Sequence, residues 1–413
     1  MLGYFKYTNF LIEIANNLFG QGFLNFQNIF LPVGISFFVF QSMSYTIDIC
    51  RGQLKPLNNW ADYLFYLSFF PQLVAGPIVR AKDFIPQIRQ NPLRVTREMF
   101  GTGVALILIG LVKKAIISDY ISLNFVDRVF DEPLLYSGFE CLMGIYGYAL
   151  QIYCDFSGYS DMAIGIALLL GFRFPKNFDA PYKAATITEF WRRWHMTLGG
   201  WFREYVYIPL GGNRKGTARM YLNLFIVFLV SGIWHGAGWN FVLWGALHGA
   251  LYLVTRAWQR KQPWQLKQPR QQCAADVHVQ SGTKKSGVLS AVQHVLCVAL
   301  TFLFLNFTWM LFRSANLSQA GEFVGRLIGG GFAAPAVQIT EAFNLEEFWY
   351  VIKILHLDRL PGSELYLCFG FLAVALWLVF FARNAGEREK SFEPNGKTMF
   401  VTAFLMIWCV VSL

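Results

Sequence analysis

Residues that could carry out acid–base chemistry are concentrated between Glu189 and His248. This stretch opens with Glu-Phe-Trp-Arg-Arg-Trp-His at 189–195 and closes with Trp-His-Gly-Ala-Gly-Trp-Asn at 234–240, followed by His248. The second half lies within an apolar run, where an ionisable group is costly unless it is paired or lines a cavity. We therefore expect a functional site here, with the rest of the chain holding the two segments against each other.

His235 is the clearest candidate for proton transfer. A neutral imidazole between Trp234 and Gly236 could accept a proton from an attacking hydroxyl group. It could equally be a packing histidine that is hydrogen-bonded to a carbonyl. His248 follows about 20 Å further along a straight helix, so the two rings would meet only if the helix breaks between Gly236 and Asn240. We expect His248 to be a packing residue.

The cationic cluster Arg192, Arg193 and His195 has three possible roles. Arginines suit the recognition of a diphosphate or a carboxylate, and they suit lipid headgroups equally well. Glu189 and Arg193 are also spaced so that they could pair with each other on the surface of a helix. These alternatives stay open.

Two carboxylates interrupt the apolar stretch 139–172. Asp155 and Asp161 are six residues apart and would not share a helical face, so a paired-carboxylate mechanism is not predicted. We expect them to bond to Ser157, Ser160 or a locally broken backbone within one long membrane crossing. The sequence contains no metal-ligand spacing, phosphate-binding loop or GxSxG motif, so no metal is predicted.

The composition is that of a polytopic membrane protein. Of the 413 residues, 55% are hydrophobic and 15% charged, whereas soluble domains have about 25% charged residues. Apolar runs of about 20 residues match the thickness of a bilayer. The net charge of +10 lies in a few loops between these runs, which is the positive-inside pattern. The distribution predicts contact with membrane lipid and argues against nucleic acid.

The predicted architecture is one all-α domain, 1–413, with about 9–11 transmembrane or re-entrant helices around a central tunnel. We expect a kinked segment at 62–79, where Pro71, Gly76 and Pro77 fall, and an out-and-back hairpin at 221–255. Residues of about 257–287 are predicted to be a flexible, basic cytoplasmic loop, and about 314–364 an external acidic loop. The run 399–413 is short for a full span, so the two ends of the chain look unfinished.

Several motifs together resemble one protein family. They are the segment 151–161 (QIYCDFSGYSD), Asn177-Phe178 with Pro181-Tyr182, residues 189–195, residues 201–214 and the Trp234-His235-Gly236 hairpin. In this order they resemble the membrane-bound O-acyltransferase (MBOAT) family, in its bacterial branch of alginate and peptidoglycan O-acetylation proteins.

The resemblance implies a tunnel through a bacterial inner membrane, crossed by a multi-pass chain. Acetyl-CoA or another pantetheine thioester would donate an acetyl group from the cytoplasm, and no tightly bound cofactor is expected. The acceptor would be an envelope polysaccharide, peptidoglycan or alginate-like, and a periplasmic SGNH-type O-acetyltransferase would be the partner protein.

The resemblance also suggests roles for individual residues. His235 maps onto the family's essential histidine, as general base or relay, and His195 onto a second motif histidine that lines the tunnel. We expect donor or substrate binding by Arg192, Arg193, Trp194, Trp234 and Asn240. Structural or tunnel-lining roles are expected for Asp155, Ser157, Tyr159, Asp161 and His248.

Two other classes of function remain possible from the residues. A transporter or channel would use the same intramembrane polar groups to bind a solute without covalent chemistry. A non-catalytic membrane anchor for a periplasmic transferase would tolerate loss of both motif histidines. No internal repeat is visible, which weakens the case for an inverted-repeat transporter.

Overall fold

A computed structural model describes residues 1–90, 94–261, 288–331, 349–359, 363–381, 400 and 404–406. Within these ranges the regular structure is helical, and no strand is found. The α-helices, numbered in chain order, are α1 Thr8–Phe19, α2 Ile35–Cys50, α3 Trp60–Ser68, α4 Ala81–Ile88, α5 Arg97–Leu111, α6 Asp127–Asp131, α7 Gly138–Leu169, α8 Ile187–Arg193, α9 Met196–Phe202, α10 Thr217–His235, α11 Trp239–Lys261, α12 Val288–Arg313, α13 Leu317–Gly329, α14 Trp349–Ile354 and α15 Ser363–Phe381.

Short π- and 3₁₀-helical segments connect or extend these helices. The π segments are Gly3–Tyr7, Val112–Asp119, Ser122–Val126 and Arg203–Tyr207, and the 3₁₀ segments are Phe70–Gln72, Pro133–Leu135, Pro181–Lys183 and Leu357–Arg359. Together with α5 and α6, two of the π segments form one apolar helical stretch, Arg97–Asp131.

Three helical stretches in the described part of the chain are long and apolar enough to cross a membrane. They are Arg97–Asp131, Thr217–His235 and Ala291–Arg313, and Tyr366–Phe381 is a shorter apolar helix. The prediction of an all-α polytopic membrane protein is confirmed. The number of crossings, 9–11, stays a prediction.

Helix α7 is the central helix, and it is continuous. Ser137 and Glu140 cap its start reciprocally, and it runs unbroken for 32 residues. The expected local break near Asp155 is therefore wrong. The helix does not need to break because lysines of the neighbouring segment Val112–Asp119 pair with its two aspartates: Lys114 with Asp155 at 2.5 Å and Lys113 with Asp161 at 2.6 Å.

Small residues allow α5 to lie directly against α7. A Cβ on Gly110 would come within 2.5 Å of the Gly158 carbonyl oxygen, and one on Gly103 within 2.8 Å of that of Gly165. This backbone-to-backbone approach brings Lys113 and Lys114, just beyond α5, next to the α7 carboxylates. The packing thus supplies counter-charges that the α7 sequence itself lacks.

The predicted kink and hairpin are both present. Helix α3 ends at Ser68 and the 3₁₀ turn Phe70–Gln72 follows it, as Pro71 favours. Helices α10 and α11 run out and back around a break at 236–238. At their crossing, a Cβ on Gly232 would lie 2.3 Å from the Phe241 carbonyl oxygen, so only glycine permits this contact.

The predicted loops fall partly outside the described residues. Residues 257–261 belong to α11, and 262–287 are not among those described. Within the predicted external loop, 314–364, the structure has helices α13 and α14. Residues 332–348 and 360–362 lie outside the described residues. The predicted last span, 399–413, is described only at 400 and 404–406.

Candidate active site

The end of α10 presents His235. The helix terminates at this residue, and Lys6 reaches across from the N-terminal segment to its last carbonyl groups. The Lys6 ammonium donates to the carbonyl oxygen of Trp234 and, at 2.9 Å, to that of His235. The Tyr7 hydroxyl donates to the carbonyl oxygen of Ile233 at 2.8 Å. A cation at a helix C-terminus satisfies carbonyls that have no partner within the helix, so these contacts fix the end of α10.

Aromatic rings surround the His235 imidazole. Trp234, Trp244 and Phe312 lie with ring centroids 4.7, 5.3 and 5.2 Å from it, all edge-on. The imidazole makes no hydrogen bond to a described residue. Its nitrogens are therefore available to a ligand.

His195 lies in the tight connection between α8 and α9. Its φ of 43° is left-handed, which is uncommon for a residue with a side chain and costs of order 1–3 kcal/mol. The residue is only 2% exposed. Its Nδ1 lies 3.1 Å from Oδ1 of Asn177, whereas Nε2 is buried and has no hydrogen-bond partner among the described residues.

The two histidines line one cavity of about 320 Å³. Its walls are mostly aromatic, and the lining residues are Lys6, Ser36, Phe37, Ala75, Tyr148, Ile152, Asp155, Phe156, Trp194, His195, Trp234, His235, Trp244, Trp309 and Phe312. Phe37 connects the two halves of the site. Its ring packs against both the His195 ring and the Trp234 ring, with centroid distances of 6.3 and 6.1 Å. The segments singled out in the sequence are thus brought together.

The cavity combines apolar walls with polar atoms that lack partners. The indole N–H groups of Trp234 and Trp244 are buried without a hydrogen-bond acceptor among the described residues, and His195 Nε2 is buried there without any hydrogen-bond partner. Buried polar groups are normally satisfied, and leaving one without a partner costs about 1–3 kcal/mol. An apolar pocket with a few convergent polar groups is typical of a site that binds a small molecule.

Asp155 contributes a carboxylate to the cavity. It pairs with Lys114, which also contacts Asp119 at 2.7 Å. The expected partners Ser157 and Ser160 are not the ones found. Ser157 is fully buried on α7, and the Tyr159 side chain lies beside the backbone of Val74 and Ala75.

Asp161 lies away from the cavity, as its spacing from Asp155 predicts. It is 9% exposed, is paired with Lys113, and lines a separate pocket between α5 and α7. The two aspartates of α7 therefore lie in different places.

His248 is a satisfied core residue. The break after His235 does bring it close to the site, but the Trp244 ring lies between, 5.3 Å from His235 and 4.6 Å from His248. Trp191 Nε1–H donates to His248 Nδ1 at 3.3 Å, and Nε2 lies 3.0 Å from the Thr308 hydroxyl. Because Nδ1 accepts, the proton is on Nε2 and is donated to Thr308.

The expected donor-binding residues separate into two groups. Trp194 and Trp234 line the cavity. Arg192, Arg193 and Asn240 do not. Arg193 pairs with Glu189 at 2.7 Å, Arg192 is exposed at the end of α8, and Asn240 donates its amide N–H groups to the carbonyl oxygens of Leu311 and Ser314.

Sequence reasoning gave no role to three polar residues of the site. Asn177 was visible within the Asn177-Phe178 motif, and Lys6 lies near the start of the chain among aromatic residues, but neither has a spacing that links it to a histidine. Lys114 lies at the end of an apolar run, where it looks like a flanking charge. Among the described residues, no group of three or more His, Cys, Asp or Glu side chains is placed to hold a metal ion.

A family model described as "MBOAT, membrane-bound O-acyltransferase family" matches residues 53–280. The chain belongs to this family. The matched range contains α7, both cavity histidines and the α10–α11 hairpin, and thus most of the residues that line the cavity.

Among curated relatives, "Probable alginate O-acetylase AlgI" of Pseudomonas putida is 38% identical over 80% of this chain and 63% of its own length. "Peptidoglycan O-acetyltransferase" of Helicobacter pylori is 36% identical over 80% of this chain and 62% of its own length. "Teichoic acid D-alanyltransferase" of Bacillus subtilis is 28% identical over 58% of this chain and 63% of its own length. The chain thus spans less than two thirds of the length of these relatives.

Proposed function

We propose that this protein is a membrane O-acyltransferase that passes an acetyl group from a cytoplasmic thioester, such as acetyl-CoA, across the bacterial inner membrane for O-acetylation of an envelope polysaccharide. The observation that carries the proposal is the shared cavity, in which His195 and His235 meet among aromatic walls. Family membership, and relatives whose names state alginate and peptidoglycan O-acetylation, support it.

The cavity has the groups that acyl transfer needs. In the proposed step the acceptor oxygen bonds to the thioester carbonyl carbon, the carbon–sulfur bond breaks, and the hydroxyl proton moves to His195 Nε2. This differs from the role that the resemblance suggests for His235: we assign the proton to His195 because its Nε2 is the buried ring nitrogen without a partner among the described residues. The thiolate sulfur later receives that proton. Unpartnered N–H groups near the reacting carbonyl stabilise the negative charge that develops on its oxygen, and His235 with the Trp234 and Trp244 indoles is assigned this role.

Aromatic walls serve the same reaction by limiting water. Water beside the catalytic base would compete with the acceptor hydroxyl for the thioester, so a mostly apolar cavity protects the acyl group until the acceptor arrives. We assign the acceptor to the class of peptidoglycan or alginate-like polymers. The polymer is the final acceptor: a periplasmic SGNH-type transferase would carry the acetyl group to it from the hydroxyl that is acetylated in the cavity.

The experiment measures ester-linked acetate on purified envelope polysaccharides from four strains. These are a deletion strain and the same strain complemented with wild type, His195→Ala or His235→Ala, all produced at equal levels. General acid–base residues contribute about 10²–10⁴-fold to a rate, so either substitution should reduce acetylation of one polymer to the level of the deletion. His294→Ala is the matched control, because His294 is exposed on α12.

Two results would overturn the proposal. Unchanged acetate in the deletion strain would remove the acetylation function and return the transporter class to consideration. Full acetylation by both histidine variants would leave the protein as a non-catalytic anchor.

A further inference from the structure

Asn177 is held against His195 by backbone pairing as well as by its side chain. Its carbonyl oxygen accepts from the Met196 N–H at 2.9 Å, and two residues later the Asp179 N–H donates to the Arg193 carbonyl at 2.9 Å. Asn177 is 1% exposed. The segment before α8 therefore runs beside the α8–α9 connection and supports the left-handed backbone of His195 within it.

The neighbours of Asn177 determine how its amide is oriented. Oδ1 faces the Thr197 backbone N–H at 3.3 Å and the Thr197 hydroxyl at 2.8 Å, while Nδ2 donates to the Ser160 hydroxyl at 3.0 Å. The Thr197 oxygen also accepts from the Ile78 N–H at 3.0 Å, which leaves its own proton to be donated to Oδ1. A flipped amide would place an NH₂ group against the Thr197 N–H, so the donors around it exclude that orientation.

This orientation fixes the protonation pattern of the His195 ring. Oδ1 of Asn177 can only accept, so the proton of the neutral imidazole must be on Nδ1, at 3.1 Å. Nε2 then carries the lone pair. It is buried, lacks a hydrogen-bond partner among the described residues, and belongs to a residue that lines the cavity.

We propose that Asn177 is a positioning residue for acyl transfer, which holds the His195 ring with Nδ1 protonated and Nε2 free to accept the acceptor's hydroxyl proton. The inference rests on the proposed function, because it assigns Nε2 a substrate proton. When that proton arrives, the Nδ1–H bond to Asn177 stabilises the imidazolium. The groups that orient a histidine in this way typically contribute 10–100-fold where they have been measured at metal sites, and a triad carboxylate contributes more.

Thr197 and Ser160 are expected to contribute unequally. Thr197 sets the direction of the amide and donates to the same oxygen that His195 uses. Ser160 contacts only the amide nitrogen. Loss of the Thr197 hydroxyl should therefore affect His195, while loss of the Ser160 hydroxyl should not.

The test uses inverted membrane vesicles that contain the full chain with its native partners. Acetyl-CoA is supplied at the cytoplasmic face, and free coenzyme A thiol is measured as a function of pH. Asn177→Asp keeps an acceptor at Oδ1 and adds a negative charge that stabilises the imidazolium. The acid limb of its pH–rate profile should shift to higher pH. Asn177→Ala should lower kcat roughly 10–100-fold, with an unchanged KM for acetyl-CoA.

The controls separate positioning from folding. Thr197→Val should lower kcat and Thr197→Ser should restore it, while Ser160→Ala should leave the pH profile where it is. A purely structural Asn177 would reduce the amount or thermal stability of the protein in all its variants without moving the profile of the molecules that remain.

The outcomes also separate this inference from the proposed function. An active wild type with an unshifted Asn177→Asp profile would overturn the positioning role alone. A wild type that releases no thiol in response to acetyl-CoA would overturn the proposed function, and the inference with it.

Discussion

Two histidines among the described residues are fully buried, His195 and His248, and they differ in the hydrogen bonding of their rings. His248 is 0% exposed, and both of its ring nitrogens have partners, in Trp191 and Thr308. His195 is 2% exposed, but only Nδ1 has a partner. Burial is the same in both cases. The difference lies in the unpartnered nitrogen, and this nitrogen belongs to the residue with the strained backbone.

The comparison teaches that hydrogen-bond accounting separates a packing histidine from a reactive one. An unpartnered buried nitrogen costs stability, and so does a left-handed backbone at a non-glycine residue. Both destabilising features occur at His195, which lines the cavity. Such features are expected at functional sites, where the strained arrangement serves the reaction. His248 contributes only stability, so substitutions at the two positions should give opposite balances of activity and folding.

Buried charges need partners in the same way as buried ring nitrogens do. The largest expected effect on stability therefore comes from breaking an ion pair. Lys113 and Asp161 are paired at 2.6 Å between α5 and α7. Removing one partner of a buried ion pair costs about 3–5 kcal/mol, because the other charge is left uncompensated. Lys113→Met should therefore lower the thermal unfolding midpoint in detergent sharply.

The double variant Lys113→Met, Asp161→Leu tests the cause of this loss. With both charges removed, most of the stability should return, because an apolar pair of similar volume is often neutral or better. A double variant as unstable as the single one would mean that shape, not charge, holds α5 to α7.

His248→Leu tests the other side of the comparison directly. It leaves the Trp191 indole N–H buried without an acceptor and should reduce the free energy of unfolding by about 1–3 kcal/mol. Turnover per folded molecule should stay near the wild-type value, in contrast to His195→Ala. Thermal unfolding and thiol release, measured on the same preparation, separate the two effects. Loss of turnover in a fully folded His248→Leu protein would place His248 in the reaction and remove the distinction.

Much of the fold could be predicted from the sequence because it depends on local patterns. Apolar runs predicted an all-α membrane protein, and Pro71 predicted the interruption after α3. The apolar run 221–255, with basic residues before and after it, predicted the hairpin in which His235 and His248 lie. The expected break in α7 was wrong because Asp155 and Asp161 pair with Lys114 and Lys113, which lie more than 40 residues earlier in the chain.

The site was predicted less completely because its geometry, like the continuity of α7, depends on residues that are far apart in the chain. The motif histidines could be found by their position in polar segments among apolar runs. The orientation of each ring depends on partners distant in the chain, such as Asn177 for His195 and Thr308 for His248. No spacing rule connects these pairs. Only the packed structure shows which ring nitrogen lacks a hydrogen-bond partner.

The two arginines of α8 give the smallest expected effect, and they form a matched pair. Arg193 is ion-paired with Glu189 at 2.7 Å, whereas Arg192 is exposed and makes no ion pair with a described residue. If donor phosphates bind here, Arg192 is the arginine available to them. Exposed charge pairs are worth roughly 0.2–1 kcal/mol. Arg192→Ala should therefore raise the KM for acetyl-CoA by at most about fivefold, and Arg192→Lys should retain most of the binding.

Arg193→Ala should act differently, because it releases Glu189, whose other oxygen accepts from the Ala185 N–H at the start of α8. Its effect should appear in thermal stability, with little change in KM. The two variants therefore separate a ligand contact from a structural pair on neighbouring residues of the same helix. An unchanged KM in Arg192→Ala, at low ionic strength where charge effects are largest, would show that the donor is held elsewhere. Lys6, the cationic residue among those that line the cavity, would then be the next position to vary.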